Sequence, residues 1–159
     1  MKRITLILLA LLMTLLCAAC GQASGGDKAA QPQTAAEWME LLKSSVPFDD
    51  EMTSVPENAA SVYGIREEDG YTGDCALYIS TMATPEEIAV FRADSALSTA
   101  DLTVLAAARM KRQQDSYADY APAEVPKIES AVVRVIGDFV IVCVCADNAK
   151  AEALLDSYA

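Results

Sequence analysis

The spacing of apolar positions changes several times along this chain, and each change predicts an element. Trp38, Leu41 and Leu42 recur at i, i+3 and i+4, the period of a helix with one apolar stripe. Thr34 and Glu37 stand before them as a capping box, and Val46-Pro47 ends the run. A second short helix is expected over Val55–Tyr63. Ser54 and Glu57 would repeat the box, Pro56 suits a first turn, and Gly64 suits a left-handed stop. The period then drops to two. Over Cys75–Met82, Leu77 and Ile79 share one face while Tyr78 and Ser80 share the other. Glu87–Ala93 is its expected partner, joined around Ala83–Glu86. Thr84-Pro85-Glu86-Glu87 also fits a helical start, but a short turn leading into a strand is the preferred reading.

Leu97–Tyr117 reads as the longest helix, capped by Ser98 and Asp101, with Leu102, Leu105, Ala106 and Arg109 on one side. Ala121-Pro122 and Val125-Pro126 interrupt the chain after it. The clearest feature follows, a hairpin of Ala131–Ile136 and Phe139–Cys145 around Gly137-Asp138. Glycine suits the first central position of a type II′ turn. That turn would pair Val135 with Val140, Val133 with Val142 and Ala131 with Val144. The opposite face sets Arg134 beside Ile141 and Val132 beside Cys143. Neither face is freely polar, so partial cover is expected on both. Asp147 then caps a last helix with Ala151, Leu154, Leu155 and Tyr158 along one stripe. The order α-α-β-β-α-β-β-α belongs to the α+β class. It predicts a four-stranded antiparallel sheet with helices on one face, built from two ββα units and preceded by two short N-terminal helices.

The first twenty residues have a different character. Lys2 and Arg3 precede an apolar stretch from Ile4 to Leu16, and Ala18-Ala19 place small side chains before Cys20, the layout of a secretory signal. The run from Ile4 to Ala19 falls short of the roughly 20 apolar residues that span a bilayer. Leu16-Cys17-Ala18-Ala19-Cys20-Gly21 resembles the lipobox of bacterial lipoprotein signal peptides. That resemblance implies a diacylglycerol on the Cys20 thiol and cleavage just before it. Cys17 stands where that family usually has leucine, with Leu16 one position further back. Lipid on Cys17 instead would place bulky Leu16 at a small-residue position. The expected organisation is a signal peptide over 1–19, a flexible tether over 20–33 and one domain over 34–159.

Cleavage there would leave 140 of the 159 residues, with ten basic side chains against 23 acidic ones, a net charge of −13. Such a surface is repelled by nucleic acid and by anionic headgroups. The chain holds no histidine, which removes Ser-His-Asp and Cys-His nucleophiles, histidine-ligated zinc and the usual general base near neutral pH.

The run EEIAVFRA at 86–93, Arg109 and Gln113 four apart, and Tyr-Ala-Pro at 120–122 before the valine-rich hairpin resemble the DUF4358 family. The resemblance covers about Asp74 to Tyr158. It implies a small lipoprotein on the outer leaflet of a single cell membrane, and a fold, but no established activity.

Three groups are candidates for chemistry. Arg109, Gln113 and Tyr117 stand at i, i+4 and i+8, with Tyr120 nearby. They could form a polar pocket in which Arg109 grips a carboxylate or phosphate. The plainer reading, which is favoured, has Arg109 and Gln113 hydrogen-bonding carbonyls of the Tyr120–Pro126 loop. Cys143 and Cys145 face one side of a strand; buried free thiols are favoured over a disulfide involving Cys75 or a soft-metal pair. Glu67, Glu68, Asp69 and Asp74 lack the spacing of a calcium loop and read as a solvated turn. Tyr63, Tyr71 and Tyr120 suit a groove, or half-buried positions with wet hydroxyls. No metal or cofactor is expected. The leading expectation is a non-enzymatic interaction module, anchored through Cys20 on the extracytoplasmic side of the cell membrane, that contacts an envelope protein, a wall component or a small ligand. The alternatives are a small envelope enzyme, or a ligand-binding protein using a pocket near Arg109.

Overall fold

The computed structural model describes Ala30–Ala159. The expected signal peptide, Cys20 and nearly all of the tether lie outside these residues. Gln31–Ala159 forms one compact unit. No helix among the described residues is long and apolar enough to cross a membrane.

Helix α1 (Ala35–Ser45) begins at the expected box, with Thr34 and Glu37 bonding each other's backbone. Strand β1 (Met52–Ser54) follows, then a 3₁₀ turn over Pro56–Asn58 running into the short helix α2 (Ala59–Val62). After a 3₁₀ turn at Glu67–Asp69 come β2 (Cys75–Ser80) and β3 (Glu87–Arg92). Helix α3 (Thr99–Tyr120) is capped by the Ser98–Asp101 box. A 3₁₀ turn at Pro122–Glu124 and helix α4 (Val125–Glu129) lead to β4 (Val132–Ile136), β5 (Phe139–Val144) and α5 (Asn148–Asp156). The sheet is antiparallel, in the order β1-β2-β3-β5-β4. The hairpin register is as expected: Val133 pairs with Val142 and Val135 with Val140. Gly137 at φ 59° is where the turn needs a residue without Cβ.

Four expectations are corrected. The sheet has five strands, not four, because Met52–Ser54 pairs with Tyr78–Ser80 along the open edge of β2. Ser54 is therefore in the ladder; Val55, with no side-chain bond, starts the 3₁₀ turn in place of a Ser54–Glu57 box. Strand β2 stops at Ser80, not Met82, since the Ser80 amide donates to the Glu86 carbonyl and the chain turns. The helices cover both faces of the sheet, not one. Trp38 and Leu42 of α1, with Ala151 and Leu155 of α5, pack on Ile88, Val90, Ile141 and Cys143. Tyr63, Leu102, Ala106, Met110 and Ile128 pack on Leu77, Ala89, Phe91, Val140 and Val142. The cause lies in the central strands. Every residue of β5, and of β3 up to Phe91, is buried, so neither face can be left to water.

The loop between β3 and α3 is pinned by Asp94. Its carboxylate accepts from the amides of Thr72 (2.7 Å), Ala96 (2.8 Å) and Leu97 (2.9 Å). The Thr72, Leu97 and Ala96 amides hold its pKa down, from 3.8 to about 2. A depressed carboxylate contributes stability that is fully present above 3.8 and is lost as the pH falls through about 2. Urea melts should therefore show Asp94→Ala less stable than wild type at neutral pH. The gap should narrow steadily as the pH drops from 3.8 towards 2. A gap constant across that window would contradict the assignment.

Candidate functional site

Two adjacent acids stand where the central strand β3 begins, Glu86 just before it and Glu87 as its first residue, and both are buried. A strand alternates its side chains, so Glu86 and Glu87 leave the backbone in opposite directions and meet different partners. Glu86 closes the turn. Its carboxylate accepts from the amides of Asp49 (2.9 Å) and Asp50 (3.0 Å), the Thr84 hydroxyl (3.2 Å) and Lys127 Nζ (3.3 Å). Lys127 also pairs with Asp49 and Glu124. Burial opposes the charge on Lys127, but these carboxylates outweigh it and its pKa is raised.

Glu87 is 1% exposed and lies under α3. Arg109 reaches its Oε2 through Nη2 (2.7 Å) and Nε (3.2 Å), Gln113 Nε2 donates to the same oxygen (2.6 Å), and the Tyr63 hydroxyl donates to Oε1 (2.6 Å). Burial and the neighbouring Glu87 charge push the Tyr63 pKa well up, so the phenol keeps its proton. For Arg109, burial pulls the pKa down, but the charge and hydrogen bonds of Glu87 more than offset it. These four donor groups, three on Oε2 and one on Oε1, hold both oxygens of the buried carboxylate. A buried carboxylate with a cation and full hydrogen bonding is tolerated where a bare one is not.

The expected pocket residues therefore do come together, around a partner, Glu87, that their helical spacing does not indicate. Arg109 and Gln113 bind Glu87, not carbonyls of the Tyr120–Pro126 loop, because the buried charge requires them. Tyr117 donates to the Met82 carbonyl (3.0 Å), and Tyr120 stacks edge-on against it at 5.8 Å. Tyr63 is fully enclosed, not wet. Tyr71 donates to the Arg92 carbonyl (2.9 Å) and lies in a turn, away from the pocket. One visible signal could have located Glu87. An acid beginning a strand that is apolar on both faces has no solvent side to occupy.

Between this network and the turn Thr81–Glu86 opens a cavity of about 810 Å³. One wall is the stripe of α3 bearing Arg109, Arg112, Gln113, Ser116, Tyr117 and Tyr120; the other is Ile79 and the turn. The turn is held rigidly. Ser80 Oγ donates to the Thr84 carbonyl (2.6 Å), and Thr81 donates to Asp50 through N (3.1 Å) and Oγ1 (2.6 Å). Met82 adopts a φ of 73°, a left-handed backbone that costs a residue with a side chain about 1–2 kcal/mol. Gln113 is 6% exposed, and its Oε1 has no protein donor. An unsatisfied buried acceptor costs on the order of 1–3 kcal/mol.

The family model described as "Domain of unknown function (DUF4358)" matches residues 44–145, a span that carries Glu87, Arg109, Gln113 and the whole cavity. The chain belongs to the DUF4358 family. No curated protein and no solved structure matches it. The match to DUF4358 includes all five strands but omits most of α1 and all of α5, the helices that cover one face.

The other candidates carry less. Cys75, Cys143 and Cys145 are free thiols. Cys143 and Cys145 lie in the core under α1 and α5, while Cys75 packs on the opposite face, so the sheet separates it from them. A hydrogen bond with Cys145 and burial push the Cys143 pKa up, which makes it a poor nucleophile. Asp69 pairs with Arg66, and Asp74 accepts from the first amide of α1, Ala35 (2.7 Å). Among the described residues no group of three or more His, Cys, Asp or Glu is arranged to hold a metal.

Proposed function

We propose that this DUF4358 protein is an extracytoplasmic lipoprotein, anchored through lipid on Cys20, whose domain is a non-enzymatic binding module. In this reading the cavity between α3 and the Thr81–Glu86 turn receives a small ligand. It is large enough for a small organic molecule. The observation that carries the reading is the state of Glu87. Both of its oxygens accept, Oε1 from Tyr63 and Oε2 from Arg109 and Gln113, so the acid beside the cavity is held in a structural network. The walls are thus preorganised for binding. The charge pattern supports the address: two basic residues, then an apolar run, then small residues before Cys20. A net charge of −13 on the mature chain disfavours nucleic acid as a partner.

The anchor is tested by expressing the full chain in a bacterium fed a clickable fatty acid. Wild type should take up the label and sediment with membranes. Cys20→Ala should lose the label, while Cys17→Ala should keep it. Label that survives Cys20→Ala would overturn the anchor.

A further inference from the structure

We infer that the cavity takes the carboxyl end of an acylated peptide, an apolar C-terminal residue whose carboxylate meets Arg112 and whose amide N–H meets Gln113. This rests on the reading of the cavity as a ligand site and gives that ligand a chemistry.

Charge complementarity gives the first argument. In a chain with a net charge of −11, nearly every described cation has a carboxylate partner. Lys43, Arg66, Arg92, Arg109, Lys111, Lys127 and Arg134 all sit in ion pairs. Arg112 lines the cavity yet has none among the described residues; its only hydrogen bond runs from Nη2 to the Val62 carbonyl at 3.3 Å. A guanidinium with open N–H groups at a cavity wall is a fork for a carboxylate. Arg109, one turn earlier, is committed to Glu87 through Nε and Nη2, and so does not compete for the same anion.

Gln113 gives the second, independent argument. Its Nε2 is fixed on Glu87, so turning the amide over would set two acceptors against each other. Oε1 is therefore oriented, enclosed and without a partner, and it asks for an N–H or O–H donor. The third is the rim. Met82 is 71% exposed and Tyr120 is 68% exposed, and both border this one cavity. An apolar side chain seated between them would cover surface that water now wets.

An anion, a neutral N–H donor and an apolar side chain close together describe the last residue of a peptide. Inorganic phosphate offers the anion but no apolar body. A free amino acid brings an ammonium in place of the neutral N–H, and so sets a second cation beside the unpaired Arg112 guanidinium. Two sources share the required chemistry: a protein or peptide ending in an L-residue, and a wall stem peptide ending in D-alanine.

The test is calorimetric titration of the full chain in lipid nanodiscs. The probes are acetyl-L-Ala-L-Leu, its C-terminal amide, diacetyl-L-Lys-D-Ala-D-Ala and inorganic phosphate. At least one peptide carboxylate should bind, and the tighter of the two identifies the source. Capping the carboxylate as the amide should weaken binding about tenfold or more, and Arg112→Ala should do the same, as expected for loss of a charge-assisted bond. Arg112 is exposed, so its variant should melt with wild type. Met82→Ala, also at the surface, should weaken binding of the leucine peptide without changing its dependence on the carboxylate. Equal binding of acid and amide, equal binding to Arg112→Ala, or phosphate as the best ligand would each overturn the inference. An amide that binds while the acid does not leaves the cavity a ligand site with a different ligand. Silence from every probe overturns the peptide-carboxylate inference outright.

Discussion

Arg109→Ala is expected to destabilise the fold by about 3–5 kcal/mol, the range for removing one partner of a buried ion pair. In a domain of this size that is a fall in melting temperature of roughly 10–20 °C. The loss comes less from the arginine's own contacts than from what it leaves behind. Glu87 would be left at 1% exposure with only the Gln113 amide and the Tyr63 hydroxyl to hold it. The asymmetry of the pair makes the prediction specific. Arg109 is partly exposed and borders the cavity, so Glu87→Gln leaves a cation that can still reach water. That variant should lose only about 1–2 kcal/mol, the cost of a charge-assisted hydrogen bond. In the Glu87→Gln background, Arg109→Ala should then cost far less than it does alone, with a coupling of about 2 kcal/mol. Denaturant melts of the four proteins measure this. Additive effects would mean that the two side chains do not depend on each other.

Trp38→Ala is expected to cost a similar amount, about 3–5 kcal/mol, for a different reason. Trp38 is completely buried under α1 and packs edge-on against Phe139 (6.3 Å) and Tyr158 (5.2 Å). Its removal leaves a void over the centre of the sheet. Its Nε1 has no partner, so Trp38→Phe discards an unsatisfied donor and should be much milder than Trp38→Ala. Trp38 lies outside residues 44–145, the span shared with the DUF4358 family. A fragment limited to that span would bare Ile88, Val90, Ile141 and Cys143 to water. It is expected to be insoluble where the full chain is not; a soluble, cooperatively melting fragment would show that this face needs no cover.

These two predictions mark what was legible in the sequence. The Val132–Val144 hairpin was, because period two with glycine at a turn allows one register with Val140, Val142 and Val144 together. The boxes at Thr34 and Ser98 were, because capping is decided within four residues. Strand β1 was not, since three residues, Met-Thr-Ser, show no periodicity; the free edge of β2 makes them a strand. The second covering layer was hinted at by the mixed faces of the hairpin, but its owners, α1 and α5, sit at the two ends of the domain. For the site, Arg109 and Gln113 stood out as polar groups at helical spacing. Their partner Glu87 did not, because it lies 22 residues before Arg109 and acids are ordinarily read as surface. Arg112 has the sequence context of any solvated helix residue. Only the pairing of the other described cations, Lys150 aside, makes it stand out.

If the cavity between α3 and the Thr81–Glu86 turn is where the domain meets its ligand, small molecules should find it first. Backbone amide shifts of the isotope-labelled protein, recorded against a set of small organic fragments of mixed charge, test it without assuming any ligand. The binding fragments are expected to move the amides of residues 81–87 and 109–120 together. Shifts gathered on another surface, such as α5 and its neighbours, would contradict it.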